Sequence, residues 1–342
     1  MLAGEFTGAS TTLFLMNSLS FQSAVWVRFA ALGCLAVALL AGNTSAWGQA
    51  KPKEVEEKDK VPEPENITVE TKDDVRIKAT YYASKLKKKA IPIIMLHGWE
   101  GNRGEWHALA SYLQKQGYAV ICPDLRGHGQ SLTYKRPGGD SEEFDLEKMK
   151  GADIEKMVLD VEAIKQFLLE KNNAGDLNIE ALCVVGAEIG GTIAMMWSAA
   201  DWNVRSLPSF KQGQDVKAMV LLSPVDSFRG VTTRGPMGHP IVKAKLSTLI
   251  CVGKEEAKAY AEAKRMYTAM LKFHGKPPTD EKEAAKRQDL FFVEEETSLQ
   301  GTGLLNKGLQ TPAEIQKFLY LRLWLKLDEL EWTERKNPFK SE

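Results

Sequence analysis

Two stretches of the sequence decide the fold: IPIIMLHGW at 91–99 and AVICPDLRGHGQS at 119–131. Each begins with an uninterrupted apolar run, which is typical of a strand buried on both faces of a sheet. Each run is followed at once by glycine and polar residues. These polar residues therefore fall at the carboxyl ends of two predicted strands, which is where open parallel sheets bind their ligands.

A third stretch, LCVVGAEIGG at 182–191, repeats this pattern and leads into a predicted helix. Strands and helices alternate along the remainder, which predicts a mostly parallel sheet with helices on both faces. The predicted strands are a leading hairpin at 67–71 and 75–82, then 91–96, 119–122, 181–185, 218–222, 249–252 and 290–293. The predicted helices cover 106–115, 153–169, 189–200, 257–273 and 312–330.

The three stretches, in this order and at this spacing, resemble the α/β-hydrolase family in its esterase, lipase and serine-aminopeptidase-like branch. The resemblance covers roughly 67–330 and implies an α/β class with the α/β-hydrolase fold. It further implies an eight-stranded, mostly parallel sheet and little or no cap domain, because the segment 225–245 at the cap position is short. It assigns a structural role to seven motif residues: Asp124, Arg126, Gly127, His128, Gly186, Gly190 and Gly191.

The resemblance also locates the catalytic positions, and two of them hold unexpected residues. In this fold a strained Gly-x-Ser-x-Gly turn presents the nucleophile, followed along the chain by an acid and a histidine. Here Glu188 stands at the nucleophile position, and the sequence contains no Gly-x-Ser-x-Gly. Glu256 fits the acid position, with Glu255 as the neighbouring option, and Gln300 stands where histidine is expected.

Loss of the nucleophile or base of a serine triad lowers turnover by about a million-fold. We therefore predict a pseudoenzyme that binds a small-molecule ligand or a protein partner, with no cofactor. The implied oxyanion donors are the N–H groups of Trp99 and Ile189, beside Gly98. Because a helix N-terminus attracts negative charge, we predict that the Glu188 carboxylate accepts hydrogen bonds from both donors.

Three alternatives stay open for Glu188. Its carboxylate could act as a nucleophile in an ester-hydrolysing enzyme, although that chemistry still needs a base to activate water. It could combine with His97 and Glu256 in a metal site, since imidazole and carboxylate suit several divalent ions, although the sequence carries no metal-binding spacing and we predict no metal. It could also point into solvent without any function.

Composition excludes several other classes of protein. The 342 residues include 45 basic and 45 acidic side chains, and this net charge of zero argues against nucleic-acid binding. A hydrophobic fraction of 44% is typical of globular proteins. Cys122, Cys183 and Cys251 lie within predicted strands and are expected to be core residues. None of the five histidines falls at a triad position: His97, His107, His128, His239 and His274.

The first 66 residues are predicted to be a targeting segment and a linker rather than part of the folded domain. Residues 1–50 contain one acidic and one basic residue, and the apolar run at 29–41 is too short to cross a bilayer. This pattern is typical of a signal peptide that starts at Met1 or Met16 and is cleaved near Ala50. The charged, proline-containing segment 51–66 predicts a flexible linker ahead of one domain at 67–342. We therefore expect an exported protein, periplasmic or secreted, without a transmembrane span; an uncleaved N-terminal anchor is the alternative.

Overall fold

The computed structural model describes residues 60–335, apart from 136–137, 208–210 and 277. The predicted signal peptide and residues 51–59 of the predicted linker lie outside the described residues. The first strand begins at Glu65, two residues before the predicted start of the domain, and its first residue pairs with Tyr81. Within the described ranges no helix combines the length and the apolar character that crossing a membrane requires.

An eight-stranded sheet forms the centre of the domain, as predicted. Its strands in chain order are β1 (Glu65–Glu70), β2 (Arg76–Tyr82), β3 (Pro92–Leu96), β4 (Ala119–Pro123), β5 (Leu182–Ala187), β6 (Val216–Leu222), β7 (Ser247–Gly253) and β8 (Leu290–Glu295). Their spatial order is β1-β2-β4-β3-β5-β6-β7-β8. The first two strands form the predicted antiparallel hairpin, and β2 pairs antiparallel with β4. All pairs from β4 through β8 are parallel.

The described helices lie between and after these strands, together with short 3₁₀ turns. They are α1 (His107–Lys115), α2 (Gly151–Glu155), α3 (Met157–Asn173), α4 (Ile189–Asn203), α5 (Arg234–Gly238), α6 (Pro240–Ala244), α7 (Ala257–His274), α8 (Glu281–Arg287) and α9 (Thr311–Arg322). Two small hairpins complete the domain: Thr133–Lys135 with Ser141–Glu143, and Ser227–Phe228 with Val231–Thr232.

The sheet separates two hydrophobic cores, one on each face. Successive residues of a strand point to opposite faces, so Ile94 and Leu96 enter one core while Ile93 and Met95 enter the other. Helices α3, α4 and α7 cover the first face, and α1 and α9 cover the second. The three described cysteines are fully buried in strands and form no disulfide, which confirms that they are core residues. Helices on both faces account for the continuous apolar strands in the sequence.

Three helical predictions differ from the structure. The helix predicted over 312–330 ends at Arg322, because Leu323 leaves helical geometry (φ −123°, ψ −55°) before a 3₁₀ turn over Trp324–Glu329. The helix predicted over 153–169 is divided into α2 and α3 at Lys156. Helix α8, with the sequence EKEAAKR, was not predicted because it has no apolar periodicity.

A buried ionic cluster lies at the amino edge of the sheet. Asp215 precedes β6 and is fully buried, and it contacts Lys165 (Nζ–Oδ2 3.0 Å) and Arg335 (Nη2–Oδ1 2.5 Å). Arg335 also pairs with Glu180, which precedes β5, and Lys165 pairs with Asp201 on α4 (2.5 Å). Lys211 contacts both Glu180 and Asp215, so three cations balance three carboxylates. The cluster therefore joins the segment that contains Arg335 to two strands and two helices.

We expect Arg335→Met to lower the free energy of unfolding by about 3–5 kcal/mol, because it leaves buried carboxylates without a counter-charge. Urea denaturation monitored by circular dichroism measures this loss. Lys317→Met removes an exposed cation that pairs with Glu314 on α9 and should change the free energy by less than about 0.5 kcal/mol. A loss below about 1 kcal/mol for Arg335→Met would contradict this account of the cluster.

Candidate active site

The turn between β5 and α4 places Glu188 above the carboxyl edge of the sheet. Its backbone is in a strained conformation (φ 51°, ψ −117°), which costs about 1–3 kcal/mol for a residue other than glycine. The turn has no room for side chains on either side of Glu188. A Cβ on Gly186 would lie 2.4 Å from the carbonyl oxygen of Gly190, and one on Gly190 would lie 2.4 Å from that of His97. Only glycine fits these two positions, whereas Gly191 is less crowded.

The Glu188 side chain is half-buried and packs against two glycines. Its Oε2 would lie 2.5 Å from a Cβ on Gly98, and its Cγ would lie 3.1 Å from one on Gly301. Within the described part of the chain, the carboxylate forms neither a hydrogen bond nor an ion pair. The prediction that it accepts hydrogen bonds from Trp99 and Ile189 is therefore wrong. The side chain packs against Gly98 and Gly301 instead.

A second carboxylate, that of Glu105, lies near Glu188. Burial, together with the negative charge of Glu105, raises the pKa of the Glu188 carboxyl above its usual value. Glu105 accepts hydrogen bonds from the Asn102 N–H (3.1 Å) and the Thr302 hydroxyl (2.8 Å). No cation pairs with either carboxylate among the residues that the structure describes. The site consequently carries an excess of negative charge, and sequence reasoning did not identify Glu105.

Gln300 is held rigidly at the ends of β6 and β7. Its Oε1 accepts hydrogen bonds from the Ser223 hydroxyl (2.6 Å) and the Gly253 N–H (3.3 Å), while its Nε2 donates to the Gly253 carbonyl (3.0 Å). Ser223 is buried, has φ 48°, and also accepts the N–H of Gly301 (3.0 Å). The amide thus joins β6, β7 and the segment after β8. Ser223 was missed by sequence reasoning, although its place directly after a buried strand was a usable signal.

Glu256, predicted at the acid position, contacts its own helix instead. It is exposed, and its carboxylate accepts the N–H groups of Lys258 (3.2 Å) and Ala259 (2.6 Å) at the start of α7. The first turn of a helix has free N–H groups that favour such an N-cap carboxylate. None of the hydrogen bonds of Gln300 reaches Glu256, so the structure does not join the predicted acid and base positions.

His97 links the ends of β3 and β4. Its Nε2 accepts the Leu125 N–H (3.0 Å), so its Nδ1 carries the proton and donates to the Gly98 carbonyl (2.7 Å). Burial lowers the pKa of His97 to about 4. Both ring nitrogens are occupied, and the described ranges contain no group of three or more His, Cys, Asp or Glu side chains placed to hold a metal ion. The alternative of a metal site at His97, Glu188 and Glu256 therefore has no ligand set here.

The loop after β4 is fixed by its own motif residues. Arg126 is buried and its guanidinium donates to Asp160 (2.7 and 2.9 Å), while Asp124 accepts the backbone N–H groups of Gln130 and of Arg103, which lies after β3. Gly127 has φ 80°, and a Cβ there would lie 2.8 Å from a leucine side chain. His128 is buried and its Nδ1 contacts the Arg126 carbonyl oxygen (3.0 Å). These contacts are structural and contribute no reactive group to the site.

Aromatic side chains and an arginine cover the other wall of the site. The Trp99 ring lies 5.0 Å from that of Phe228 and 4.9 Å from that of His128, measured between centroids. The Arg229 guanidinium lies 4.8 Å from the Trp99 ring and donates to the Leu146 carbonyl (2.6 Å). The short hairpin at 227–232 therefore takes the place of a cap domain.

Comparison with known proteins agrees with this architecture. Residues 91–237 match the family model described as alpha/beta hydrolase fold. The AB hydrolase superfamily protein YisY of Bacillus subtilis is 32% identical over 132 residues, which are 39% of this chain and 37% of that protein. A non-heme chloroperoxidase of Burkholderia pyrrocinia is 41% identical over 63 residues, or 18% of this chain and 22% of that protein. The chain thus matches well under half the length of these curated relatives.

Among solved structures, the esterase Pf2001 of Pyrococcus furiosus superposes with a TM-score of 0.54 at 14% identity, covering 81% of this chain and 97% of that one. The DcsB structure in complex with its substrate analogue gives a TM-score of 0.53 at 16% identity, covering 76% of this chain and 99% of that one. The chain has the α/β-hydrolase fold. At these identities the structural likeness establishes the fold alone.

Within this α/β-hydrolase fold, the backbone elements of the site match the expected arrangement, whereas the side chains at the triad positions do not. The strained turn at Glu188 and the two backbone donors, Trp99 and Ile189, occupy the expected loops. Neither N–H donates a hydrogen bond to another described residue. In contrast, the three side chains predicted at triad positions share no hydrogen bond with one another.

The buried His97 should make the stability of the α/β-hydrolase domain depend on pH. Its pKa is 6.5 in an unfolded chain and about 4 here, so between these values the unfolded state binds a proton that the folded state does not. The free energy of unfolding should therefore fall by about 3 kcal/mol as pH decreases from 6.5 to 4.

Urea denaturation across this pH range measures the effect. His97→Asn keeps a side-chain donor and acceptor, and should show a shallower slope between pH 6.5 and 4 even if it is less stable at neutral pH. His239→Asn, which alters a histidine outside the fully buried core, should keep the wild-type slope. Equal slopes for wild type and His97→Asn would show that His97 does not titrate in this way.

Proposed function

We propose that this protein uses a hydrolase-like cleft to bind a ligand or a protein partner and does not perform triad-based serine hydrolysis. The observation that supports this most directly is the placement of Gln300. Its amide is fixed by hydrogen bonds to Ser223 and Gly253, and the family resemblance assigns the base to this position. An amide does not accept a proton at neutral pH, so Gln300 cannot activate a hydroxyl or a water molecule.

Glu188 makes a poor substitute for the missing nucleophile. A carboxylate can form an ester intermediate, but water must then be activated by a base, and Gln300 provides none. Burial and the nearby Glu105 also raise the pKa of Glu188. The negative charge of Glu188, which lies beside Gly98, opposes the negative charge that develops on the substrate oxygen.

We expect the purified protein to hydrolyse p-nitrophenyl acetate and p-nitrophenyl butyrate no faster than an equal concentration of a protein without an active site. Release of p-nitrophenolate measures the rate. Glu188→Gln should have the same background rate, since the carboxylate is not used as a nucleophile. A wild-type turnover that Glu188→Gln abolishes would overturn the proposed function and favour the alternative, a hydrolase with a carboxylate nucleophile.

The double variant Glu188→Ser with Gln300→His tests the two positions directly. It should exceed Glu188→Ser alone by about tenfold or more, since it restores a nucleophile and a base. It should remain about 10⁴-fold below a complete triad, because Glu256 is bonded to α7 and cannot orient the new histidine. No difference between the double and single variants would count against our placement of Gln300 at the base position.

We further propose that the protein is exported, on the basis of the apolar run at 29–41 and the small residues that follow it. Expression of the full chain with a C-terminal tag, followed by fractionation and N-terminal sequencing, tests this. The expected mature protein begins at Lys51 and lies outside the cytoplasm. An intact N-terminus on a membrane-associated protein would support the uncleaved anchor instead.

A further inference from the structure

A groove of about 570 Å³ opens beside the candidate site, between α1 and the segment 302–316. Its walls are largely apolar, formed by Ala108, Leu109, Leu305, Leu309 and Pro312. An apolar groove of this kind accommodates a hydrocarbon or aryl group of a small molecule.

One end of the groove lies close to Glu188, which does not itself line it. Glu105 and Thr302 both line it, and the Thr302 hydroxyl donates to the Glu105 carboxylate (2.8 Å). Thr302 directly follows Gly301, against which the Glu188 side chain packs. A ligand that fills the groove therefore has one end beside the Glu105 carboxylate, with the Glu188 carboxylate nearby.

The charges at this end of the groove are not balanced. Among the described residues Glu188 has no hydrogen-bond donor, and Glu105 accepts only neutral donors. A half-buried carboxylate without a cation is unfavourable, and its raised pKa reflects this. Lys307 is the one cation among the groove-lining residues, and its side chain is exposed to solvent. The site is thus complementary to a ligand that brings its own positive charge.

We propose that this cleft binds an amine with an apolar tail, whose ammonium group donates hydrogen bonds to Glu188 and whose tail occupies the groove. This inference rests on the proposed binding function, because it uses Glu188 as a ligand-binding group rather than as a nucleophile. An ammonium group offers three donors and no acceptor, which matches carboxylates that only accept. A neutral alcohol of equal length can donate one hydrogen bond but leaves the negative charge unbalanced, and an anionic ligand would be repelled.

Isothermal titration of the wild-type protein with hexylamine, hexan-1-ol and hexanoate at pH 7.5 and low salt tests the charge preference. Hexylamine should bind at least about tenfold more tightly than hexan-1-ol, and hexanoate should bind most weakly. The preference should decrease in high salt, since the site is partly exposed to solvent. Glu188→Gln should bring the amine-to-alcohol ratio close to one, whereas Glu170→Gln, on an exposed position of α3, should leave it unchanged.

The groove is tested by its own variant and by tail length. Ala108→Trp fills the groove, so it should weaken the binding of hexylamine and hexan-1-ol by a similar factor and preserve their ratio. In the wild type, lengthening the amine from propylamine to hexylamine should tighten binding by up to about fourfold per methylene group. This series uses only the wild-type protein, so it tests the groove even if Ala108→Trp does not fold.

Three results would overturn the inference: equal affinity for hexylamine and hexan-1-ol, no dependence on tail length, or an amine preference that survives in Glu188→Gln. Each of these would leave the proposed absence of hydrolysis intact. Conversely, ester turnover that requires Glu188 would overturn the proposed function by a separate measurement, whatever the amine affinities are. The two proposals can therefore fail independently.

Discussion

The crowding of backbone atoms at the turn between β5 and α4 is the constraint on which the rest of the site depends. Gly186 and Gly190 approach other main-chain atoms so closely that any Cβ would clash, and the chain between them must reverse direction. Glu188 takes the strain of that reversal at φ 51°. Because α4 starts at the next residue, its free N–H groups, the side chain of Glu188 and the loop after β3 are all brought to one edge of the sheet.

Among the described residues, charged side chains are paired at one edge of the sheet and unpaired at the other. At the amino edge, three carboxylates pair with the buried Lys165 and Arg335 and with the partly exposed Lys211, so each charge removed from water has a partner. At the carboxyl edge, Glu188 and Glu105 are close to each other, and no cation pairs with either within the part of the chain that is described. In the first arrangement, loss of any one partner would leave a buried charge uncompensated. The second arrangement lowers stability, and unbalanced charge of this kind is typical of sites that bind or react.

Local sequence signals predicted most of the fold and part of the site. Buried strands, the leading hairpin and the strained turn follow from short-range patterns, because apolar runs and glycines report on immediate packing. Ser223 and Gln300 are 77 residues apart, and nothing in either local sequence indicates that their side chains are bonded. Glu256 illustrates the opposite case, since its position matched an acid but the adjacent N–H groups of α7 compete for its carboxylate. Contacts that depend on tertiary geometry, including the position of Glu105, required the structure.

The energetics of Glu188 bear on whether it has a role at all. A glycine at this position would adopt φ 51° without strain, and it would remove a half-buried carboxylate that has no described partner. Compared with glycine, glutamate at this position lowers the stability of the fold in two ways. Its strained backbone costs about 1–3 kcal/mol, and its desolvated charge adds a further cost. Local rules are broken in this manner mainly at functional sites, where the interaction with a ligand offsets the loss. A side chain with no function has no such compensation, so the desolvated charge of Glu188 is consistent with the proposed ligand-binding role of its carboxylate.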